Sequence, residues 1–109
     1  MLTHDAARRC YGIICESALS SLRDDLLRKG VEYARIRAEW QLSTREQRIE
    51  MDQRRKLAHN SFIDACNILS RNMAKSGEDN SWRANLGADR KVIGDFACFI
   101  HCFLGLAGR

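Results

Sequence analysis

The chain of 109 residues contains no proline and only seven glycines, so residues that interrupt helices are scarce. Aromatic residues make up only 7% of the chain. Arginine, alanine and leucine, which favour helices, are the most frequent residues instead. A chain of this length forms one domain around one core. We therefore predict an all-α fold in a single domain, 1–109, built as a helical bundle of three long helices plus a shorter segment.

The chain also lacks a hydrophobic run long enough to cross a membrane. Its most apolar stretch, 92–107, falls about four residues short of the roughly 20 that span a bilayer, and it contains Asp95 and His101. The first residues lack the basic and apolar segments of a secretory signal. Five cysteines without such a signal indicate free thiols in a reducing compartment. We predict a cytoplasmic protein that neither enters the membrane nor binds a cofactor.

Positive charge exceeds negative charge only slightly, with 18 lysines and arginines against 14 aspartates and glutamates, for a net charge of +4. Basic and acidic residues are interleaved along the chain, as in Arg45, Glu46, Arg48 and Glu50. A nucleic-acid interface usually presents a basic face with few acids in it. The composition therefore disfavours nucleic acid as the partner without excluding it.

Capping residues and helical periodicity predict the first helices. Thr3 is placed to cap a helix whose apolar residues recur at helical spacing as far as Leu26. Gly30 is placed to end this helix and to separate it from a second one at 31–42. A single glycine costs a helix only about 1 kcal/mol, so continuation through Gly30 is the open alternative.

The second half of the chain is predicted to form two further helices around a loop. Ser43, followed three residues later by Glu46, has the form of a capping box that begins a long helix at 44–75. Residues 77–88 are predicted to be a loop that Trp82 and Leu86 attach to the bundle. Asp89 is placed to cap a last helix that ends near residue 107.

A narrow polar stripe on the long helix is the first candidate binding site. Its residues step by three or four positions, which places them on one face of a helix. A solvated helix surface is the simpler interpretation. However, asparagine is a poor helix former, and the apolar neighbours Ile63 and Ile68 suggest that the stripe is partly buried. The candidate binding residues are Asn60, Asp64, Asn67 and Arg71.

Three side chains near the C-terminus are the weak candidates for a metal site. Cys98, His101 and Cys102 lie on one side of the predicted helix, and Cys66 or a water molecule would complete a tetrahedral zinc site. This spacing is not the paired CxxC pattern typical of zinc proteins. Free cysteine is also a common small residue of helix interfaces. We therefore predict no bound metal, and five reduced cysteines.

Arg54 and His59, separated by four residues on the predicted long helix, resemble the Arg-x4-His motif of HEPN-type ribonucleases. The resemblance implies that His59 moves a proton at the cleaved phosphodiester and that Arg54 stabilises the phosphate charge. It covers six residues, and it stands earlier in the chain than is usual in that family. An RNA-cleaving enzyme is therefore the alternative function.

Three further tracts, at 31–37, 59–64 and 90–97, together resemble a small family of uncharacterised bacterial helical proteins of unknown function. The resemblance extends over about 31–106. It implies a bacterial, cytosolic origin and brings no catalytic residue with it.

The function that we predict is that of a non-catalytic helical interaction or regulatory protein with a protein partner. No catalytic motif with a P-loop, GxGxxG, HExxH or GxSxG pattern is present. The 92–107 helix is apolar almost all round, which one short bundle does not fully bury. We therefore predict that the protein forms homo-oligomers through this helix.

Overall fold

Residues 2–107, the part of the chain that the computed structural model describes, form five α-helices and no strand. The helices are α1 (His4–Glu16), α2 (Ser20–Gln41), α3 (Arg45–Lys75), α4 (Ser81–Leu86) and α5 (Arg90–Ala107). The predicted all-α bundle is confirmed, with α2, α3 and α5 as its three long helices. Within 2–107, none of the helices combines the length and apolar character that a bilayer span requires.

The predicted first helix is wrong at its C-terminal end, because α1 stops at Glu16 and not at Gly30. Ser17 is extended, and its hydroxyl donates to Glu78 Oε2 at 3.2 Å. The Ala18 N–H donates to Glu78 Oε1 at 3.1 Å. A carboxylate about 60 residues away therefore stabilises a break in the helix that no proline or glycine marks.

Helix α2 passes through Gly30, so the alternative of a continuous helix at this point is the one the structure adopts. A Cβ atom at Gly30 would lie 3.1 Å from Phe62 Cε1 and 3.2 Å from Ile100 Cδ1. Gly30 therefore lets α3 and α5 approach α2 closely and is not a helix end.

The capping residues predicted for α1 and α5 are confirmed, and the capping box of α3 lies one residue later than predicted. Thr3 accepts from the Ala6 N–H at 3.1 Å, and Asp89 accepts from the Lys91 N–H at 2.7 Å, as predicted. The capping box of α3 lies one residue later than the predicted Ser43–Glu46. There, Thr44 Oγ1 accepts from the Gln47 N–H at 3.2 Å, and Gln47 Oε1 accepts from the Thr44 N–H at 2.8 Å. The predicted loop at 77–88 contains the short helix α4.

The core lies where α2 crosses both α3 and α5. Trp82 of α4 is fully buried and donates from Nε1 to Met73 Sδ at 3.4 Å, so it attaches the 77–88 segment to the bundle as predicted. Helix α1 covers one side of this core. The largest fully buried side chains of the other four helices are Ile14, Leu26, Tyr33, Phe62, Leu69, Met73, Ile93, Phe96 and Ile100.

Candidate functional site

The polar stripe on α3 is mostly exposed. Asn60, Asp64 and Arg71 are exposed, so the partial burial expected for them is not found. Asn67 alone is half-buried: its Oδ1 accepts from Arg83 Nε at 2.7 Å, and Arg83 Nη1 donates to the Gly87 carbonyl at 2.8 Å. Asn67 therefore connects α3 to the end of α4. The binding role predicted for this stripe gains no support from its geometry.

Arg54 and His59 do not form a site together. Five residues along an α-helix separate two side chains by about 140° around the helix axis. Arg54 is exposed, and its Nη2 lies 3.0 Å from Glu39 Oε2. His59 is half-buried, and its ring contacts the Tyr33 ring edge-on, with centroids 5.3 Å apart. The pair that the ribonuclease alternative requires is thus divided between two faces of α3.

The cysteines are all free thiols, two of them buried. Cys98 is half-buried, whereas His101 and Cys102 are exposed. Within 2–107, no three histidine, cysteine or acidic side chains come together in a way that would hold a metal ion. The Cys98 thiol instead accepts from Arg37 Nη1 at 3.5 Å.

A cleft of about 570 Å³ lies between α2, α3 and the start of α5, and it has a strongly basic lining. We call it the basic pocket. Tyr33 and Trp40 supply its aromatic surface, and Asp89 is its carboxylate among the described residues. Its five cationic side chains are Arg37, Arg48, Arg55, Arg90 and Lys91.

Helical spacing aligns these residues before any packing brings them together. Tyr33, Arg37 and Trp40 are at positions i, i+4 and i+7 on α2, and Arg48 and Arg55 are seven residues apart on α3, so each set lies on one face. The short α2–α3 connection places these two faces side by side as antiparallel neighbours. The first turn of α5 then closes the pocket.

Three of the cations are held in place by their neighbours. The Arg55 guanidinium lies 4.5 Å from the centre of the Trp40 ring, and its Nη2 is 3.2 Å from Asp52 Oδ1. Arg48 Nε donates to the Trp40 carbonyl at 2.9 Å. Arg37 Nη1 lies 3.6 Å from Asp95 Oδ1. Because these side chains are already ordered, a ligand that binds them does not have to bear the full entropy of ordering them.

The absence of a side chain at Gly94 of α5 leaves space for the Arg37 guanidinium. A Cβ atom at Gly94 of α5 would lie 2.5 Å from Arg37 Cζ. At Gly94 the space is taken by the Arg37 guanidinium, which crosses the backbone of α5 to reach Asp95.

The other two cations, Arg90 and Lys91, are exposed in the first turn of α5. Within the described chain, no carboxylate lies within 4 Å of either charged group. The helix dipole places partial positive charge at an N-terminus, so cations there are unfavourable. Asp89 offsets part of this effect through its contact with the backbone. The start of α5 is thus a place where an added anion would be stabilised.

His59 lies next to the basic pocket, and the positive charges of the pocket affect its pKa. Burial lowers the pKa of His59 below 6.5, the Asn60 side chain acts in the opposite direction, and the charges of Arg90, Arg55 and Arg37 lower the pKa further. The His59 ring is therefore neutral near pH 7. Two atoms of this cluster, His59 Nε2 and Arg55 Nε, are buried with no hydrogen-bond partner in 2–107. Native structures leave few such atoms unpaired.

The arrangement is suited to binding an anion. It offers several guanidinium groups at fixed positions, and arginine pairs with phosphate or carboxylate oxygens through two N–H donors. Tyr33, which lines the pocket but is almost fully buried, is protonated because burial raises its pKa. No nucleophile with an adjacent base is placed at this pocket among the described residues.

Comparisons with protein-family models, with curated proteins and with solved structures find no match to this chain. The resemblance to a bacterial family and to HEPN-type ribonucleases therefore stays a prediction from the sequence.

Proposed function

We propose that this protein is a non-catalytic binding protein that holds a phosphate-bearing anion in the basic pocket. The observation that supports this function is the convergence of five cations on one cleft, three of them ordered by an aromatic ring, a backbone carbonyl or a carboxylate. Charge-assisted hydrogen bonds to such groups contribute about 1.5–3 kcal/mol each. Arg55, which lines the pocket, also has a buried Nε without a hydrogen-bond partner within 2–107.

Phosphate is favoured over a single carboxylate because the cations approach from three helices. A carboxylate can satisfy one arginine fork, whereas a phosphate group offers oxygens in several directions. Proton transfer by His59 is not part of this proposal, since the separation of Arg54 from His59 gives the ribonuclease alternative no geometric support. The cytoplasmic setting and bacterial origin remain proposals based on the sequence.

The test is calorimetric titration with ATP and with inorganic pyrophosphate, for the wild-type protein and two variants. Arg55→Gln removes a pocket cation, and Arg54→Gln is the matched control, because Arg54 is exposed on another face of α3. We expect Arg55→Gln to weaken binding about 10- to 100-fold and Arg54→Gln to leave it unchanged. Absence of binding by the wild-type protein, or equal loss in both variants, would overturn the proposal.

A second candidate function is self-association through α5, and an aromatic cluster on α1 and α5 favours it. Phe99 and Phe103 are half-buried and stacked, with ring centroids 4.8 Å apart, and Tyr11 contacts both rings. The adjoining cleft of about 500 Å³ has Asp95 as its charged residue, and no lysine or arginine among the described residues that line it. The protein has a net charge of +4, so most pairs of faces on two copies would repel each other through their lysines and arginines. Two copies of this face can pack together without that repulsion.

Sedimentation velocity distinguishes this second candidate from the first. We expect a dimer for the wild-type protein, and a monomer for Phe103→Glu that still binds ATP. A wild-type protein that stays monomeric at high concentration would contradict self-association and would leave the anion-binding proposal standing.

A further inference from the structure

A second groove adjoins the basic pocket at Trp40 and Arg48. It has a volume of about 340 Å³ and is lined by Trp40, Arg45, Arg48, Ile49 and Asp52. We call it the outer groove. Trp40 and Arg48 line both cavities. The two cavities are therefore parts of one continuous surface with the indole of Trp40 between them.

Cations continue along this surface beyond the basic pocket. Arg45 belongs to the outer groove, Arg48 to both cavities and Arg55 to the pocket. A rise of 1.5 Å per residue places Arg45 and Arg55 about 15 Å apart along α3. Arg90 and Lys91 extend the series onto α5. One phosphate group cannot contact both ends of such a series, whereas a chain of phosphates can.

The acidic residues in the sequence of α3 are distributed over more than one of its faces. Glu50 and Arg54 line a separate cavity with Glu39 on another face of the α2–α3 hairpin. Asp52 does line the outer groove, but its two oxygens lie 3.2 Å from Arg55 Nη2 and 3.0 Å from Lys56 Nζ. Two carboxylates thus remain on this surface, Asp52 and Asp89, against six cations, so this surface is more basic than the alternating sequence of α3 suggests.

Apolar groups stand exposed among these cations. Ile49 in the outer groove is 71% exposed. Trp40 is half-buried and lines both cavities, and the guanidinium groups of Arg55 and Arg48 lie 4.5 Å and 5.8 Å from the centre of its ring. A cationic groove that includes an aromatic ring and apolar side chains is typical of surfaces that bind single-stranded nucleic acid, whose bases are free to stack. The bases of a duplex are stacked on one another and are not available in this way.

We infer that the basic pocket and the outer groove together bind a single strand of nucleic acid, with successive phosphates on the cations and a base against Trp40 and Ile49. This inference rests on the proposed function, because the pocket must first accept a phosphate. It goes further in naming an extended strand and in assigning a binding role to Arg45, which a small anion in the pocket does not reach.

Fluorescence anisotropy with labelled oligouridylates of 2, 4, 8 and 12 nucleotides tests the inference, with ATP as a competitor. We expect affinity to increase more than tenfold from the shortest to the longest strand and to fall with salt, by about 0.7 in the logarithmic slope for each phosphate contacted. Arg45→Gln should weaken binding of the 12-mer severalfold and reduce this slope by about 0.7, without changing the affinity for ATP. Arg54→Gln, which has the same change of charge on another face, should alter neither.

The outcomes separate the two proposals. If ATP binds and depends on Arg55, but the 12-mer binds no better than the 2-mer, the inference fails and the proposed function stands. Tighter binding of a 12-base-pair duplex than of the single strand would also overturn the inference. The inference would also be overturned if a polyglutamate peptide bound tightly, in a way that depended on Arg45, while the single strand bound weakly. If no phosphate compound binds, both proposals fail. Circular dichroism melts of each variant exclude loss of folding as the cause.

Discussion

Two faces of α3 carry similar polar residues and have very different surroundings. The face with Asn60, Asp64 and Arg71 is exposed to water except at Asn67. The face with Arg48 and Arg55 lies under α2 and beside α5, where an aromatic ring and carbonyl oxygens hold its cations. What distinguishes a candidate site from a solvated surface is thus the covering by neighbouring helices, and not the residue types.

Asn67 offers the sharpest test of this comparison, since it is the covered member of an otherwise exposed stripe. Asn67→Ala leaves Arg83 Nε without its partner, which costs about 1–3 kcal/mol, while alanine returns up to about 0.7 kcal/mol of helix propensity. We therefore expect a net loss of about 1–2 kcal/mol in the free energy of unfolding, seen as a lower midpoint in urea. Asn60→Ala is the exposed control and should not lower stability, since alanine returns up to about 0.7 kcal/mol of helix propensity there too. Equal changes in the free energy of unfolding for Asn67→Ala and Asn60→Ala would show that covering of a side chain by a neighbouring helix does not determine its contribution to stability.

The sequence predicts which residues share a face and not what lies over that face. The spacing of Tyr33, Arg37 and Trp40 on α2 is visible in the sequence. However, the juxtaposition of this set with Arg48 and Arg55 depends on how α2 lies along α3, which local patterns do not determine. The break at Ser17 is similar, because it depends on Glu78, 61 residues later in the chain. The all-α class and the buried faces of α3 and α5 were predictable because they follow from helical periodicity alone.

Arg90 provides the next test, because its removal should change stability and ATP affinity in opposite directions. Removing a cation from the N-terminus of α5, close to Arg55 and Arg37, should relieve repulsion and raise the free energy of unfolding by about 0.3–1 kcal/mol. Arg90→Gln should at the same time weaken ATP binding. The matched change on the exposed stripe, Arg71→Gln, should affect neither quantity. Thermal melts measure the stability of the two variants, and calorimetry measures their affinity for ATP. A lower stability of Arg90→Gln would contradict the idea that the charge of Arg90 is unfavourable at this position.

His59 gives a smaller effect that depends on pH. Its pKa in the folded protein lies below the unfolded value of 6.5, so the unfolded chain binds more protons as the pH falls below 6.5, and stability decreases. His59→Gln should therefore reduce the loss of melting temperature between pH 7 and pH 5. His101→Gln, at an exposed position on α5, serves as the control and should retain the full loss. Identical pH profiles for the wild-type protein and His59→Gln would contradict the burial of this ring among the arginines.

Asp64 should show the smallest effect of all, although the sequence alone singles it out. Its position between Ile63 and Ile68 suggests a covered carboxylate, in which case its loss would leave amide donors unsatisfied at about 1–3 kcal/mol. The structure places it in solvent, where water replaces any partner. We therefore expect Asp64→Asn to change the free energy of unfolding by less than about 0.5 kcal/mol and to leave ATP and oligouridylate binding unchanged. A variant that melts normally but binds less of either compound would show that the solvated face of α3 takes part in binding. The contrast between the two faces would then lie in how tightly they hold a ligand and not in which of them binds it.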